Sequence, residues 1–240
     1  MRSLSAAAVM VLLAVSVPAI AQKPAQTLPH NVVLFVPDGL RAVSVDPATA
    51  PTMAAMRDRG VNFANPHSLF PTFTTPNASA MATGHYLGDT GDFGNTIYTG
   101  VPIAAAGSVL PYLEDDRVID EVDDHFAGNY LDEEAILKAA RDAGFSTAAI
   151  GKLGPAFIFD HTARDGMTTI IVDDATGSAK GVPLSPEVAA ALAAAGLLGK
   201  TPGRGGNGDA GTATVPGTKV ANVEQQNYFE IGRASCRERV

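Results

Sequence analysis

Phe70-Pro-Thr-Phe-Thr-Thr-Pro-Asn-Ala-Ser-Ala-Met-Ala-Thr-Gly84 places Thr74, a candidate nucleophile, at the start of a small-residue helix. It is read together with Val36-Pro-Asp38-Gly39, in which Asp38 closes the apolar run Asn31–Val36. A short apolar run bounded by turn residues has the pattern of a buried parallel strand, so Asp38 is expected at a strand's carboxyl end. Open α/β sheets gather their chemistry at that end.

Working outward, Pro51 at a first helical position and Gly60 after Arg57-Asp-Arg59 bracket a short helix. Val61–Ala64 reads as a second strand leading into the Thr74 segment. Irregular apolar pieces broken by Gly and Pro fill Ile97–Asp124. Asp132–Gly144 then shows acids in its first turn, Ile136, Leu137 and Ala140 on one face, and a terminal glycine. That helix feeds a strand at Ser146–Ile150, and Met167–Val172 reads as another. Ser185-Pro186-Glu187 is a cap-and-proline start for an Ala-rich helix through Leu198, and Gly199–Gly217 reads as a flexible loop. Strands alternating with helices indicate an α/β class built on a predominantly parallel sheet flanked by helices.

The 240 residues are 46% hydrophobic and carry a net charge of −8. One domain with a real core fits that length. The acidic balance excludes a protein that coats nucleic-acid phosphates, which needs a basic face. Arg2, the apolar run Ala6–Val17 and Ala19-Ile20-Ala21 before Gln22 have the order of a secretory signal peptide, residues 1–21. The run is shorter than a spanning helix requires. The expectation is a periplasmic or secreted protein, off the membrane once the signal is cleaved.

Residue by residue, simpler readings stand. Asp38 suits a turn or helix cap, Thr74 an N-cap, and Asn95, ahead of Thr96-Ile97-Tyr98, a turn. Their combination is more specific. Asp38-Gly39, Thr72-Phe-Thr74-Thr-Pro76-Asn77 and Thr83-Gly84-His85 through Gly91-Asp-Phe-Gly-Asn95 resemble, in order, three elements of the alkaline phosphatase superfamily. The closest likeness is to its type I phosphodiesterase and nucleotide pyrophosphatase branch, over roughly residues 30–175.

The resemblance implies an alkaline phosphatase-like fold and a small phosphate-ester substrate. It implies a centre of two divalent metal ions, zinc, with Asp38 and Thr74 as ligands. Metal coordination lowers a hydroxyl's pKa, which would make Thr74 the nucleophile, while Asn95 and backbone N–H groups opening the following helix would steady the phosphoryl oxygens. Nucleotide-cleaving relatives carry an aromatic residue straight after the nucleophile, where this chain has Thr75, so diester, monoester and nucleotide stay open. A sulfatase is disfavoured, since its C-x-P-x-R type motif is missing. The reading from another class is an exported phosphate- or sugar-phosphate-binding protein that uses the helix start without catalysis.

Gly151-Lys152 resembles an element that follows a core strand in the superfamily. Lys152 is read first as a solvated surface lysine and otherwise as a neighbour of the site. Neither it nor Gly199-Lys200-Thr201 forms a phosphate loop, for want of the leading glycine. Asp124-His125 and Asp160-His161 come too early in the chain for the family's D-H ligand pair, and His30, His67 and His85 have no ligand spacing, although His85 could line the pocket. The last ten residues, Ile231–Val240, can be encoded by a string resembling read-through into a sequencing adapter. They are expected to be a non-native tail, and they hold the single cysteine, Cys236. The family's D-x-x-x-H, D-H-G and distant His elements are not recognisable. Residues 22–230 are therefore expected to be the N-terminal part of the hydrolase domain, with an incomplete sheet, weak zinc binding and no turnover of its own.

Overall fold

The computed structural model describes residues 31–203 and 222–237, with side chains described as far as Glu230. The signal-peptide reading, His30 and most of the Gly199–Gly217 loop lie outside the described residues. Two units divide the chain, Met1–Ala64 and Asn65–Val240.

In the first unit the expected strand at Asn31–Val36 is not formed. Those residues have no regular structure, and Val32 is 90% exposed, with Val33 to Val36 also exposed. An apolar run becomes a strand only where another strand takes up its backbone groups, and no described strand pairs with this one. Asp38 sits in a turn, its N–H donating to the Val36 carbonyl at 3.1 Å, with Gly39 at φ +76°. The expected α1 is present as Pro51–Arg59, with Pro51 at its start and Arg57 and Arg59 in its last turn. Val61–Ala64, expected as a strand, is exposed coil.

The second unit opens with α2, Thr74–Thr83, which ends on Gly84 in the left-handed conformation, and α3, Leu87–Thr90. A helix not foreseen in the irregular stretch, α4, covers Asp116–His125. The Asp115 carboxylate accepts the Arg117 N–H at 3.1 Å to cap it, and Val118, Ile119 and Val122 line its buried face. The helix expected from Asp132 starts late, as α5, Ile136–Asp142. Asp132 takes φ +53° and accepts the Asn129 side-chain N–H at 2.7 Å, which holds it in a turn.

Strand β1, Ala148–Ile150, lies parallel to β2, Ile170–Val172, with Ala149 opposite Ile171; α6, Pro155–Ile158, lies in the connection. Both strands are shorter than expected. The period-2 alternation of a strand explains the layers. Ala149 and Ile171 face a core with Ala78, Ala82, Leu113, Ile119, Phe157 and Ile158. Ile150 and Ile170 face the opposite side and pack on Val188 and Leu192 of α7, Pro186–Ala194. Burying each of those two side chains contributes about 1.5–3 kcal/mol. Ser185 caps α7 as expected, accepting the Val188 N–H at 3.2 Å, and Gly196 at φ +76° turns the chain before Leu198. Finally α8 runs over Val223–Arg237 and so takes in part of the expected non-native tail. No helix among the described residues is long and apolar enough to cross a membrane.

Candidate active site

The residue before α2, Phe73, has extended backbone angles and acts as its N-cap. That puts Thr74 inside the first turn instead of at the cap, and Phe73, with no polar side chain, makes no capping bond. The segment leading in is held by Asn77. Its Oδ1 accepts the Leu69 N–H at 2.8 Å, and its Nδ2 donates to the carbonyls of Phe73 at 2.8 Å and Pro71 at 3.2 Å. Asn77 thus pins the segment that precedes the half-buried Thr74, whose hydroxyl has no hydrogen-bond partner among the described residues.

Asn95 comes to the same helix turn. Its Oδ1 accepts the Thr75 N–H at 3.0 Å and the Thr75 hydroxyl at 3.1 Å, and that hydroxyl also reaches the Gly94 carbonyl at 2.9 Å. Thr75 is wholly buried, so its side chain supports the site from inside and stacks on nothing outside. The helix start has fewer spare donors than the sequence suggests. Thr75 N–H is taken by Asn95, and Pro76 has none.

A buried carboxyl group ties the loop that precedes Asn95 to α2. Asp92, three residues earlier, is 1% exposed and accepts from Ser79 of α2 at 2.6 Å and from Tyr130 at 3.0 Å. Burial pushes its pKa up, against the pull of those two donors.

The other amide edge of Asn95 points to Glu114. Asn95 Nδ2 donates to Glu114 Oε1 at 3.4 Å, and Lys152 Nζ donates to that same oxygen at 2.6 Å. Lys152, expected as a solvated surface lysine, is therefore paired and lies three hydrogen bonds from the helix start, through Glu114 and Asn95 to Thr75. The pair was hard to read from sequence. The Gly151-Lys152 element flagged one partner, whereas Glu114 is the first of three successive acids with no pattern to single it out.

Asp38 belongs to the first unit and Thr74 and Asn95 to the second. The structure brings Asn95 to Thr75, beside Thr74, while Asp38 is described by its own turn only. Each of Asp38 and Thr74 offers one oxygen donor of the type a hard divalent cation accepts. Among the described residues no group of three or more His, Cys, Asp or Glu could hold a metal ion. The buried side-chain polar atoms left without a hydrogen-bond partner belong to neither residue. These residues do not by themselves build a two-ion centre.

The Asp-His pairs serve the fold. Asp160 is fully buried and bound by Arg141 at 3.0 Å, by Thr162 at 2.7 Å and by Thr169. His161 Nδ1 lies 3.1 Å from Asp123 Oδ1, beside Arg164 and an edge-on Tyr130 ring. Burial works to raise the Asp123 pKa, but His161, the Tyr130 N–H and Arg164 together hold it below the usual value. His125 stacks edge-on against Phe126, and Asp124 pairs with Arg164. His85 approaches Glu133 at 3.7 Å. A cavity of about 420 Å³ lined by Arg141, Phe145, Thr147, Met167 and Ile170 lies at the amino ends of β1 and β2, whereas Lys152 follows the carboxyl end of β1.

Compared with known proteins, residues 32–193 match the family model described as type I phosphodiesterase / nucleotide pyrophosphatase. No curated protein and no solved structure matches.

Proposed function

The chain belongs to the type I phosphodiesterase / nucleotide pyrophosphatase family of the alkaline phosphatase superfamily, and from that premise we propose an exported phosphoric ester hydrolase with Thr74 as its nucleophile. The observation that carries the proposal is the Thr74 hydroxyl, without a hydrogen-bond partner among the described residues, in the first turn of α2 beside the residue to which Asn95 is bonded. Thr74 Oγ1 would form its bond to phosphorus as the bond to the leaving oxygen breaks. Water would then hydrolyse the phosphothreonine, so that ester and water yield a phosphate product and an alcohol. An amide NH₂ has two donors. One of Asn95's is directed at Glu114, and the other would serve a non-bridging oxygen, where charge develops in the transition state.

Dependence on two divalent ions, zinc in this reading, is part of the proposal because the family generally uses divalent metals. Asp38 and Thr74 are the proposed contributors from this chain. No described group of residues completes the centre, and no step above is routed through an ion. The binding-protein reading gains nothing from the structure, because Thr75 N–H and Pro76 offer a bound anion no donor.

The test is hydrolysis of bis(p-nitrophenyl) phosphate by the full-length gene product, with and without chelator. Thr74→Ala should abolish turnover, and mass spectrometry of quenched wild type should show phosphate on the peptide containing Thr74. Unchanged turnover by Thr74→Ala sinks the nucleophile assignment.

A further inference from the structure

Glu114 is the group at this site for which hydrolysis supplies no role. Its side chain is 9% exposed, and one of its oxygens takes both the Lys152 ammonium and the Asn95 amide. Gly154 follows closely in the chain at φ +84°, where a Cβ would lie 2.6 Å from Glu114 Cα. The backbone carrying Lys152 is thus seated against the backbone carrying Glu114, and the ion pair is built into that contact.

We propose that Glu114 sets the substrate class of the site, selecting singly charged phosphodiesters over doubly charged phosphomonoesters. The inference rests on the hydrolase reading and deepens it. A phosphomonoester carries close to two negative charges near neutral pH, and a diester one. A lone lysine beside Asn95 would favour the dianion. Paired with Glu114 at 2.6 Å, Lys152 presents little net charge, and the carboxylate repels the second charge of a monoester. The amide is positioned by the same oxygen, because with Nδ2 toward Glu114 the carbonyl faces the Thr75 N–H.

Glu114→Gln tests this, since glutamine keeps an acceptor for Asn95 and removes the charge. In the full-length protein, the ratio of kcat/KM for p-nitrophenyl phosphate to that for bis(p-nitrophenyl) phosphate should rise about tenfold or more. Adding Lys152→Ala to that variant should bring the ratio back down. A wild type that cleaves the diester and a variant with an unchanged ratio would overturn the inference and leave the hydrolase standing. Binding supplies a readout that needs no turnover. In Thr74→Ala protein, Glu114→Gln should tighten inorganic phosphate by about tenfold in calorimetry, at a pH where phosphate is a dianion, and change dimethyl phosphate less than threefold. Equal effects on both ions would overturn the inference even if the wild type cleaves neither ester, an outcome that separately defeats the hydrolase reading.

Discussion

Asn95 Oδ1 accepts both the backbone N–H and the hydroxyl of Thr75, at 3.0 and 3.1 Å, and so fixes the first turn of α2 from twenty residues further along the chain. Asn95→Ala leaves that N–H without its acceptor in a largely buried setting. The expected loss is about 1–3 kcal/mol of stability and, if the amide also steadies the phosphoryl group, ~10²-fold or more in kcat. Chemical denaturation and kinetics on the diester separate the two. A stability loss with kcat unchanged would reduce Asn95 to a structural residue.

Tyr130→Phe removes one of the donors to buried Asp92 and leaves the ring in place. Burial already raises the Asp92 pKa, so the folded protein favours its protonated form. The associated stability is full at low pH and declines as pH rises. Without the Tyr130 hydroxyl the ionised form loses a hydrogen bond, and the pKa rises further. The variant should therefore lose about 1 kcal/mol at pH 5 and more at pH 8. Urea midpoints at the two pH values check this, and an equal loss at both would show that Asp92 does not titrate between them.

What could be read ahead of the fold divides along physical lines. The start of α1 at Pro51 and the Ser185 cap of α7 were legible because caps and prolines act within one turn, whereas α2 starts on Phe73 without a capping bond, one residue before the Thr74 cap the sequence suggests. The strands at Asn31–Val36 and Val61–Ala64 were not, because an apolar run reads alike whether or not a partner strand lies beside it. Helix α4 was within reach, since Asp115 followed by Val118, Ile119 and Val122 is a cap followed by one helical face. Motif order singles out Thr74 and Asn95, and the contact found is that of Asn95 with Thr75. Glu114 depends on a contact 38 residues apart, with Lys152, which no local pattern announces.

Asp116 and Asp173, at 3% and 0% exposure, share one buried pocket between α4 and the end of β2. Burial, then the hydrogen bond and charge of Asp173, push the Asp116 pKa up to about 9 from an ordinary 3.8. The folded state keeps a proton that the unfolded chain gives up. Its stabilising effect is complete below pH 3.8 and is lost as pH rises through about 9. Stability should fall between pH 5 and 9 by at most about 1.4 kcal/mol per pH unit from this group. Asp116→Asn can still donate to Asp173 without ionising, so its melting temperature should depend less on pH and exceed wild type at pH 8. A variant that melts lower at pH 8, with the wild-type slope intact, rules out the shared proton.

Gly154 joins the fold to the site. At φ +84° an L side chain is strained, and a Cβ there would stand 2.6 Å from Glu114 Cα and 2.7 Å from the Leu113 carbonyl oxygen, both of them backbone atoms that cannot swing aside. The Gly154 N–H donates to Asp116 Oδ1 at 3.2 Å, so a shift here also disturbs the aspartate pair. Gly154→Ala is expected to cost about 2–5 kcal/mol from the strained angle and the overpacking together. Where the protein still folds, Glu114 must move relative to Lys152. The preference for diester over monoester should then weaken in the same direction as in Glu114→Gln, though by less. A Gly154→Ala protein with wild-type melting temperature would mean that the backbones of residues 113–114 and 154 are not in contact, and the ion pair would lose its structural anchor.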